Sequence, residues 1–163
     1  MNSEGSTVTG IIGVISDTHG MLRPEVSRIF SGVNMIVHAG DIGGMDILKS
    51  LGTIAPVTAV HGNTDTGIIA SFLNDSETFK FKNYRFHLLH DLAHLGVDPL
   101  KLGIRMIISG HSHIPLAREE NDVMYLNPGS AGPKRLNKPI SLAKVTVTDN
   151  RLLVRHFDLE RFK

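Results

Sequence analysis

The sequence predicts an α/β fold in which two β-sheets pack face to face and helices cover their outer sides. Two observations lead to this prediction. Over residues 11–113, apolar runs of strand length alternate with glycine-punctuated segments, a rhythm typical of strand–helix units. Beyond residue 113, runs rich in Val, Leu and Ile at 140–147 and 152–157 are typical of strands. A strand-rich second half favours two sheets over a single doubly wound sheet.

The individual elements follow from local sequence signals. The first part of the chain contains predicted strands at 11–15, 33–37, 56–60, 78–82, 84–89 and 105–108. Between them, helices are predicted at 23–30, 45–51, 66–72 and, as a shorter helix, 98–102. Pro24 and Glu25 suit the first turn of the first helix, because proline needs no amide hydrogen there. Turn signals at Pro128-Gly129 and Asp149-Asn150 separate the strands of the C-terminal third.

The length and composition are those of one folded domain. The chain has 163 residues, of which 41% are hydrophobic and 20% charged. We predict a flexible N-terminal arm at 1–9, where most residues are small and polar, and a single domain at 10–163. A domain of this length buries roughly 70% of its unfolded-chain surface, so it needs neither a disulfide nor a structural metal to fold. Any bound metal is therefore expected to serve chemistry.

The composition also excludes several functions and locations. The sequence has no cysteine, which excludes thiol nucleophiles, cysteine-ligated zinc and iron–sulfur clusters, and fits a cytoplasmic location. We find no basic leader and no apolar run of membrane-helix length, so we expect no membrane association. The absence of Trp and the 6% aromatic content argue against dedicated nucleic-acid binding. We interpret the basic segment 134–163 as solvated strand faces. The sequence leaves open whether the chain forms a homo-oligomer.

Five predicted strands are followed by polar side chains that can bind metals. These side chains are Asp17, His19, Asp41, Asn63, His90, His111 and His113. Because the carboxyl ends of parallel strands gather at one edge of a sheet, they can meet in one pocket. Imidazole nitrogens and hard oxygens suit manganese, iron, zinc or cobalt. If both carboxylate oxygens of Asp41 bridged, the set would make four bonds to each of two metals, and the positive centre would attract an anion such as phosphate.

The same residues form an ordered series of motifs. They read Asp17-Thr18-His19, Gly40-Asp41, Gly62-Asn63-Thr64-Asp65, His90-Asp91 and Gly110-His111-Ser112-His113, followed by Asn127-Pro128-Gly129-Ser130. Over residues 11–147 the chain resembles the calcineurin-like metallophosphoesterases. The last motif resembles the small prokaryotic phosphodiesterase branch, which is related to the retromer scaffold subunit.

This resemblance implies a fold and a set of metal ligands. The implied fold is a four-layer αββα sandwich of two mixed sheets flanked by helices. The implied first metal site consists of Asp17, His19 and His113. The implied second site consists of Asn63, His90 and His111, with Asp41 as the bridge between the two metals.

Two departures from the family pattern bear on the substrate. Thr64 stands where many relatives have a histidine that protonates the leaving oxygen. Met45 stands where phosphoprotein phosphatases have an arginine that holds a phosphate dianion. Both departures favour a phosphodiester, with one negative charge, over a monoester. We therefore expect hydrolysis of a small-molecule phosphodiester by a metal-bound hydroxide, with two divalent metal ions, manganese before iron, zinc, nickel or cobalt.

The remaining histidines receive other interpretations. His61 and His94 lie close in sequence to ligand motifs, and each is a candidate proton donor or phosphate contact. His38 is interpreted as a buried, hydrogen-bonded histidine, and His156 as a surface residue. The alternative function is a non-catalytic or weakly catalytic protein-interaction scaffold of the same fold. In that scaffold the ligand set is degraded, whereas here it is complete.

Overall fold

Ten strands form two mixed sheets of five strands each in this computed structural model, which describes residues 6–162. The strands are β1 Val8–Ile15, β2 Met35–His38, β3 Val57–Ala59, β4 Ser76–Phe81, β5 Tyr84–Leu89, β6 Ile104–Ile108, β7 Leu116–Glu120, β8 Val123–Asn127, β9 Ser141–Thr148 and β10 Leu152–Asp158. The helices are α1 Pro24–Ile29, α2 Met45–Gly52 and α3 Gly67–Phe72, with a 3₁₀ helix at Leu92–His94.

The strand directions bring many carboxyl ends to one edge of the sandwich. The first sheet has the order β10-β9-β1-β2-β3, and β1, β2 and β3 run parallel. The second sheet has the order β4-β5-β6-β8-β7, and β5, β6 and β8 run parallel. The loops that follow the parallel strands carry all the motifs found in the sequence.

The alternation of side chains along β1 divides the core into two layers. Ile12 and Val14 point between the sheets, where they join Phe86, Met106 and other apolar side chains. Ile15 faces the other way and packs against helices α1, α2 and α3. At Gly13 the ring of Phe30 approaches the strand so closely that a Cβ would lie 2.9 Å from it. Glycine is therefore required for α1 to pack directly on β1.

The predicted sandwich of two mixed sheets is confirmed, with few helices. Within residues 6–162 all three α-helices pack on the first sheet. The outer face of the second sheet is covered instead by the segment that contains the 3₁₀ helix, through Leu92, Leu95 and Val97. The fourth layer is therefore thinner than the sequence analysis expected.

The predicted short helix at 98–102 is wrong. The Asp98 carboxylate accepts hydrogen bonds from the amides of Leu100 and Lys101 and folds the segment into a turn. Gly103, with a φ of 65°, then directs the chain into β6. The Leu102 amide donates to the Asp98 carbonyl, so the segment makes one hydrogen-bonded turn, and Gly103 ends it before a second helical turn can form.

The start of the fold also differs from the sequence prediction. Strand β1 begins at Val8, so it includes the last two residues of the predicted arm at 1–9. The hydroxyl of Ser6 donates to the side chain of Asn150 at 2.6 Å, next to the β9–β10 turn. The rest of the predicted arm, residues 1–5, lies outside the described residues. Among the described residues, no helix combines the length and the apolarity that crossing a membrane requires.

Candidate metal centre

Most of the predicted ligands have an unusual backbone conformation. Five of them have positive φ angles, namely Asp17 at 56°, His19 at 45°, Asp41 at 53°, His111 at 67° and His113 at 60°. A non-glycine residue in this left-handed region costs on the order of 1–3 kcal/mol and persists only when its surroundings enforce it. The concentration of this strain in the loops after β1, β2 and β6 indicates a functional site.

The structure brings all seven predicted ligands together. Their contacts form a continuous series. Asp17 Oδ1 lies 3.0 Å from His113 Nε2 and 4.0 Å from His19 Nε2, and Asp41 Oδ2 lies 3.8 Å from His19 Nε2 and 3.3 Å from His90 Nε2. Asn63 Oδ1 then lies 2.9 Å from His90 Nε2 and 3.1 Å from His111 Nδ1. The predicted meeting of these strand ends is therefore observed, and the role of each residue as a ligand stays a prediction.

Several donor atoms of the cluster lack the partner that a buried polar atom needs. Asp17 Oδ1, His19 Nε2 and His113 Nδ1 are buried without a hydrogen bond. His113 Nε2 lies 3.0 Å from Asp17 Oδ1 without forming a hydrogen bond. Donor atoms of Asp17, His19 and His113 all lie within 4.8 Å of one another, as do those of Asp17, Asp41 and His90. Because unpartnered buried polar atoms are costly, this donor set fits divalent cations.

The Asp41 carboxylate lies between the two halves of the cluster. Its Oδ2 faces both His19 and His90, whereas its Oδ1 accepts a hydrogen bond from the Thr64 amide at 2.9 Å. Burial alone would raise the pKa of Asp41, but the hydrogen bonds from His90 and Thr64 outweigh it and hold the pKa well below its usual value. The carboxylate is thus ionised at neutral pH, and one oxygen, rather than the two considered in the sequence analysis, faces both halves.

His90 is oriented by a backbone carbonyl. Its Nδ1 donates to the Ala39 oxygen at 2.7 Å, which leaves Nε2 directed into the cluster. Burial lowers the pKa of His90, but the hydrogen bonds to Asp41 and Ala39 and the charges of Asp17 and Asp41 raise it overall. The negative field that raises this pKa is the same field that would attract a cation.

Two polar side chains hold the ligand loops in place. The Asp65 carboxylate accepts hydrogen bonds from the amides of Ile42 at 2.9 Å, Gly43 at 3.0 Å and Gly62 at 2.8 Å. Asn127 donates from Nδ2 to the Gly110 carbonyl at 2.7 Å. Both residues belong to motifs in the sequence, but the motifs did not predict a role for them. Their positions within motifs, outside the donor set, are the signal that could have identified them as supports.

His38 is buried and hydrogen-bonded, as its interpretation from sequence stated. The Gly40 amide donates to its Nδ1 at 3.2 Å, and its Nε2 donates to the Thr18 hydroxyl at 2.9 Å. The interpretation of His156 as a surface residue is wrong. His156 is half-buried on β10, and its Nε2 donates to the Asn127 carbonyl at 2.8 Å, beside the loop that follows β8.

Acid is expected to destabilise the fold through His38. Burial lowers the pKa of His38 from 6.5 to about 3, so below pH 6.5 the unfolded chain binds a proton that the folded chain rejects. The free energy of unfolding should fall by up to about 1.4 kcal/mol per pH unit between pH 6.5 and 3 from this residue. Urea unfolding at several pH values measures the slope. A His38→Gln variant, which keeps a neutral donor, should show a shallower slope, and an unchanged slope would contradict this prediction.

The two larger openings beside the cluster are relevant to a substrate. A cavity of about 580 Å³ is lined by Asn63 and His90 together with His61, Asp75, His87, His94 and other side chains. A smaller opening of about 220 Å³ is lined by His19, Asp41, Asn63, Thr64, His111, His113, Arg135 and Lys138. Asn63 belongs to both linings, so both openings border the cluster at this residue.

The candidate proton donors line the larger cavity and lie outside the seven-residue cluster. His61 Nε2 contacts Asp75 Oδ1 at 2.8 Å. His94 lies on the 3₁₀ helix, and its largely exposed side chain places Nδ1 3.6 Å from Asp91 Oδ2. The structure therefore places both histidines beside the cluster, and their role as proton donors or phosphate contacts stays a prediction.

Arg135 and Lys138 are site residues that the sequence analysis missed. They belong to the loop after β8, within the basic segment interpreted as solvated strand faces. Burial lowers the pKa of His113, and the nearby charges of Arg135 and Lys138 add to this effect, against the raising effect of Asp17. The only sequence signal was the short distance between this loop and the motif at 127–130.

Residues 11–150 match the family described as the calcineurin-like phosphoesterase superfamily domain. The chain belongs to this superfamily. The phosphoesterase is 42% identical over 143 residues to a Methanothermobacter thermautotrophicus protein named "Probable metallophosphoesterase", covering 79% of this chain and 81% of that protein. It is 26% identical over 147 residues to a phosphodiesterase of Methanocaldococcus jannaschii, covering 72% of this chain and 82% of that protein.

A solved structure has the same fold. The structure of Vacuolar Protein Sorting 29 from Cryptosporidium parvum matches this phosphoesterase with a TM-score of 0.81 at 17% identity, covering 96% of this chain and 95% of that one. Membership of the metallophosphoesterase family implies divalent metal ions, and the cluster contains candidate ligands for them.

Proposed function

We propose that this protein is a dinuclear-metal-dependent phosphodiesterase. The observation that carries the proposal is the continuous series of seven donors, with Asp41 Oδ2 facing both halves. Asp17, His19 and His113 would hold one ion, and Asn63, His90 and His111 the other. Divalent ions held in this way supply an activated water and neutralise the charge of phosphoryl oxygens.

The chain's own residues fix the geometry of this centre. The Ala39 carbonyl orients His90, and the Thr64 amide fixes the rotation of the Asp41 carboxylate. The Asp65 carboxylate joins the loops after β2 and β3, so that Asp41 and Asn63 keep a fixed spacing. Such prior positioning lowers the reorganisation that a reaction would otherwise require.

Two features favour a diester over a monoester. Met45, at the position of the family's arginine, packs against the helix-side core and adds no cation to the cluster. The openings of about 580 Å³ and 220 Å³ both border the cluster at Asn63 and offer space for the two arms of a diester. A relative of 26% identity carries the name phosphodiesterase, in line with this preference.

A second candidate function is a protein-interaction scaffold. It is favoured by the fold match to Vacuolar Protein Sorting 29 and by two exposed apolar side chains on α3, Ile68 at 70% and Phe72 at 76% exposure. A scaffold has no need of seven converging donors, five of them with a strained backbone, whereas catalysis uses such prior positioning. The enzymatic function is therefore the one that we propose.

The test is metal-dependent hydrolysis of bis(4-nitrophenyl) phosphate. Metal-free protein titrated with manganese should bind two ions per chain, and hydrolysis should rise with occupancy. Manganese should support faster hydrolysis than magnesium, because four of the donors are imidazoles. Binding of a single ion would refute the dinuclear centre. Binding of two ions without hydrolysis of any aryl phosphate would favour the scaffold.

A further inference from the structure

Two positive side chains lie at the smaller opening without a carboxylate partner. Arg135 and Lys138 line this opening together with the candidate ligands. Across residues 6–162, neither side chain lies within ion-pair distance of an acidic group, whereas the neighbouring Lys134 pairs with Glu160. Lys134 is therefore paired at the surface, whereas Arg135 and Lys138 of the same loop line the opening beside the cluster.

The loop is built to hold these cations in place. The Lys138 amide donates to the Arg135 carbonyl at 3.2 Å and closes a turn with the two residues at its ends. Lys138 Nζ donates to the Ser112 carbonyl at 2.7 Å, which ties the turn to the loop that carries His111 and His113. The ammonium of Lys138 therefore has a defined position relative to the candidate ligands, and Arg135 lies at the other end of the same turn.

The lining of the smaller opening contains more cations than carboxylates. Among the described residues that line it, Asp41 supplies the carboxylate, and Arg135 and Lys138 supply two positive charges. A phosphodiester group carries only one negative charge. A substrate with a further anionic group would match this field better, because each oppositely charged group at close range adds attraction.

We propose that Arg135 and Lys138 bind a second anionic group, a phosphate or a carboxylate, on one arm of the diester substrate. This inference rests on the proposed phosphodiesterase function. The second group would lie in the smaller opening, where a guanidinium can form paired hydrogen bonds and an ammonium adds a point charge.

The proposal can be tested with three diesters that share a 4-nitrophenyl leaving group. Their second arms are ethyl, 2-carboxyethyl and 2-phosphoethyl groups. The ratio of kcat/KM for an anionic arm to that for the ethyl arm should be about tenfold or more in the wild type. The larger of the two ratios identifies the preferred anion. Arg135→Gln and Lys138→Gln should each reduce the ratio towards one, whereas the control Lys134→Gln should leave it unchanged.

A binding experiment separates this proposal from the proposed reaction. Calorimetry on the manganese-loaded protein compares 3-phosphonopropionate with propylphosphonate, which lacks the second anionic group. Tighter binding of 3-phosphonopropionate that Arg135→Gln removes would support the proposal even if no diester were hydrolysed. The proposal would be overturned if neither Arg135→Gln nor Lys138→Gln changed the ratio of kcat/KM values for the anionic and ethyl arms. It would also be overturned if Lys134→Gln reduced that ratio equally.

Discussion

Replacing Asp41 with alanine is expected to reduce phosphodiester hydrolysis by more than about 100-fold, beyond the loss typical of residues that only support ligands. The Asp41 Oδ2 atom lies 3.8 Å from His19 Nε2 and 3.3 Å from His90 Nε2, so this carboxylate oxygen faces a histidine of each half of the cluster. Its loss should also reduce the number of ions bound per chain. Steady-state kinetics and metal analysis of the same samples measure both effects.

Two further variants make the result on Asp41 interpretable. Asp41→Asn keeps an acceptor for the Thr64 amide but removes the charge, so it should fold normally and still lose activity. Asp46→Ala removes an exposed carboxylate from the first turn of α2 and should retain activity. If Asp41→Ala kept activity within tenfold of the wild type while binding two ions, the bridging role would be refuted.

Aryl diesters are expected to be hydrolysed about 10²–10⁴-fold faster than alkyl diesters, the range that general acid catalysis usually contributes. Thr64 occupies the position of the family's leaving-group acid, and it lines the smaller opening beside Asp41. A threonine hydroxyl does not release a proton at neutral pH, so the leaving group must depart by its own acidity. A plot of log kcat against the leaving-group pKa should therefore have a steep negative slope.

Thr64→His should restore part of the missing proton donation. The hydrogen bond from residue 64 to Asp41 comes from the backbone amide, so the substitution leaves that donor in place. Alkyl-diester hydrolysis should increase while aryl-diester hydrolysis changes little, and Thr66→His, at an exposed position before α3, serves as the control. A flat dependence on leaving-group pKa in the wild type would show that another residue donates the proton. Alanine variants of His61 and His94 would then identify it.

The fold and the composition of the cluster were predictable because they depend on local signals. Apolar runs mark the strands, and parallel strands end at a common edge, so Asp41 after β2 and His90 after β5 were expected to meet. The positions of the apolar runs and of the polar residues that follow them are therefore enough to predict this meeting. The order of the motifs carried the family resemblance, and the match over residues 11–150 confirms it.

The details that escaped prediction depend on loop conformation. Arg135 reaches the cluster because the turn that ends at Lys138 folds back on the loop after β6, and no periodic pattern encodes that path. The sequence around His156 shows no partner for it, because the group that it contacts is a backbone carbonyl 29 residues away. The predicted helix at 98–102 stops after one turn, where Gly103 directs the chain into β6. These cases depend on hydrogen bonds and backbone conformation rather than on apolar spacing.

The hydrogen bonds of Asp65 and Asn127 have a consequence for how the protein exchanges its ions. Both side chains hold the ligand loops through protein groups alone, so the shape of the centre does not depend on a metal to maintain it. Domains whose loops are held only by a metal unfold when a chelator removes it. We therefore expect this chain to stay folded when a chelator removes bound ions, so that the empty centre can be loaded again with a different ion.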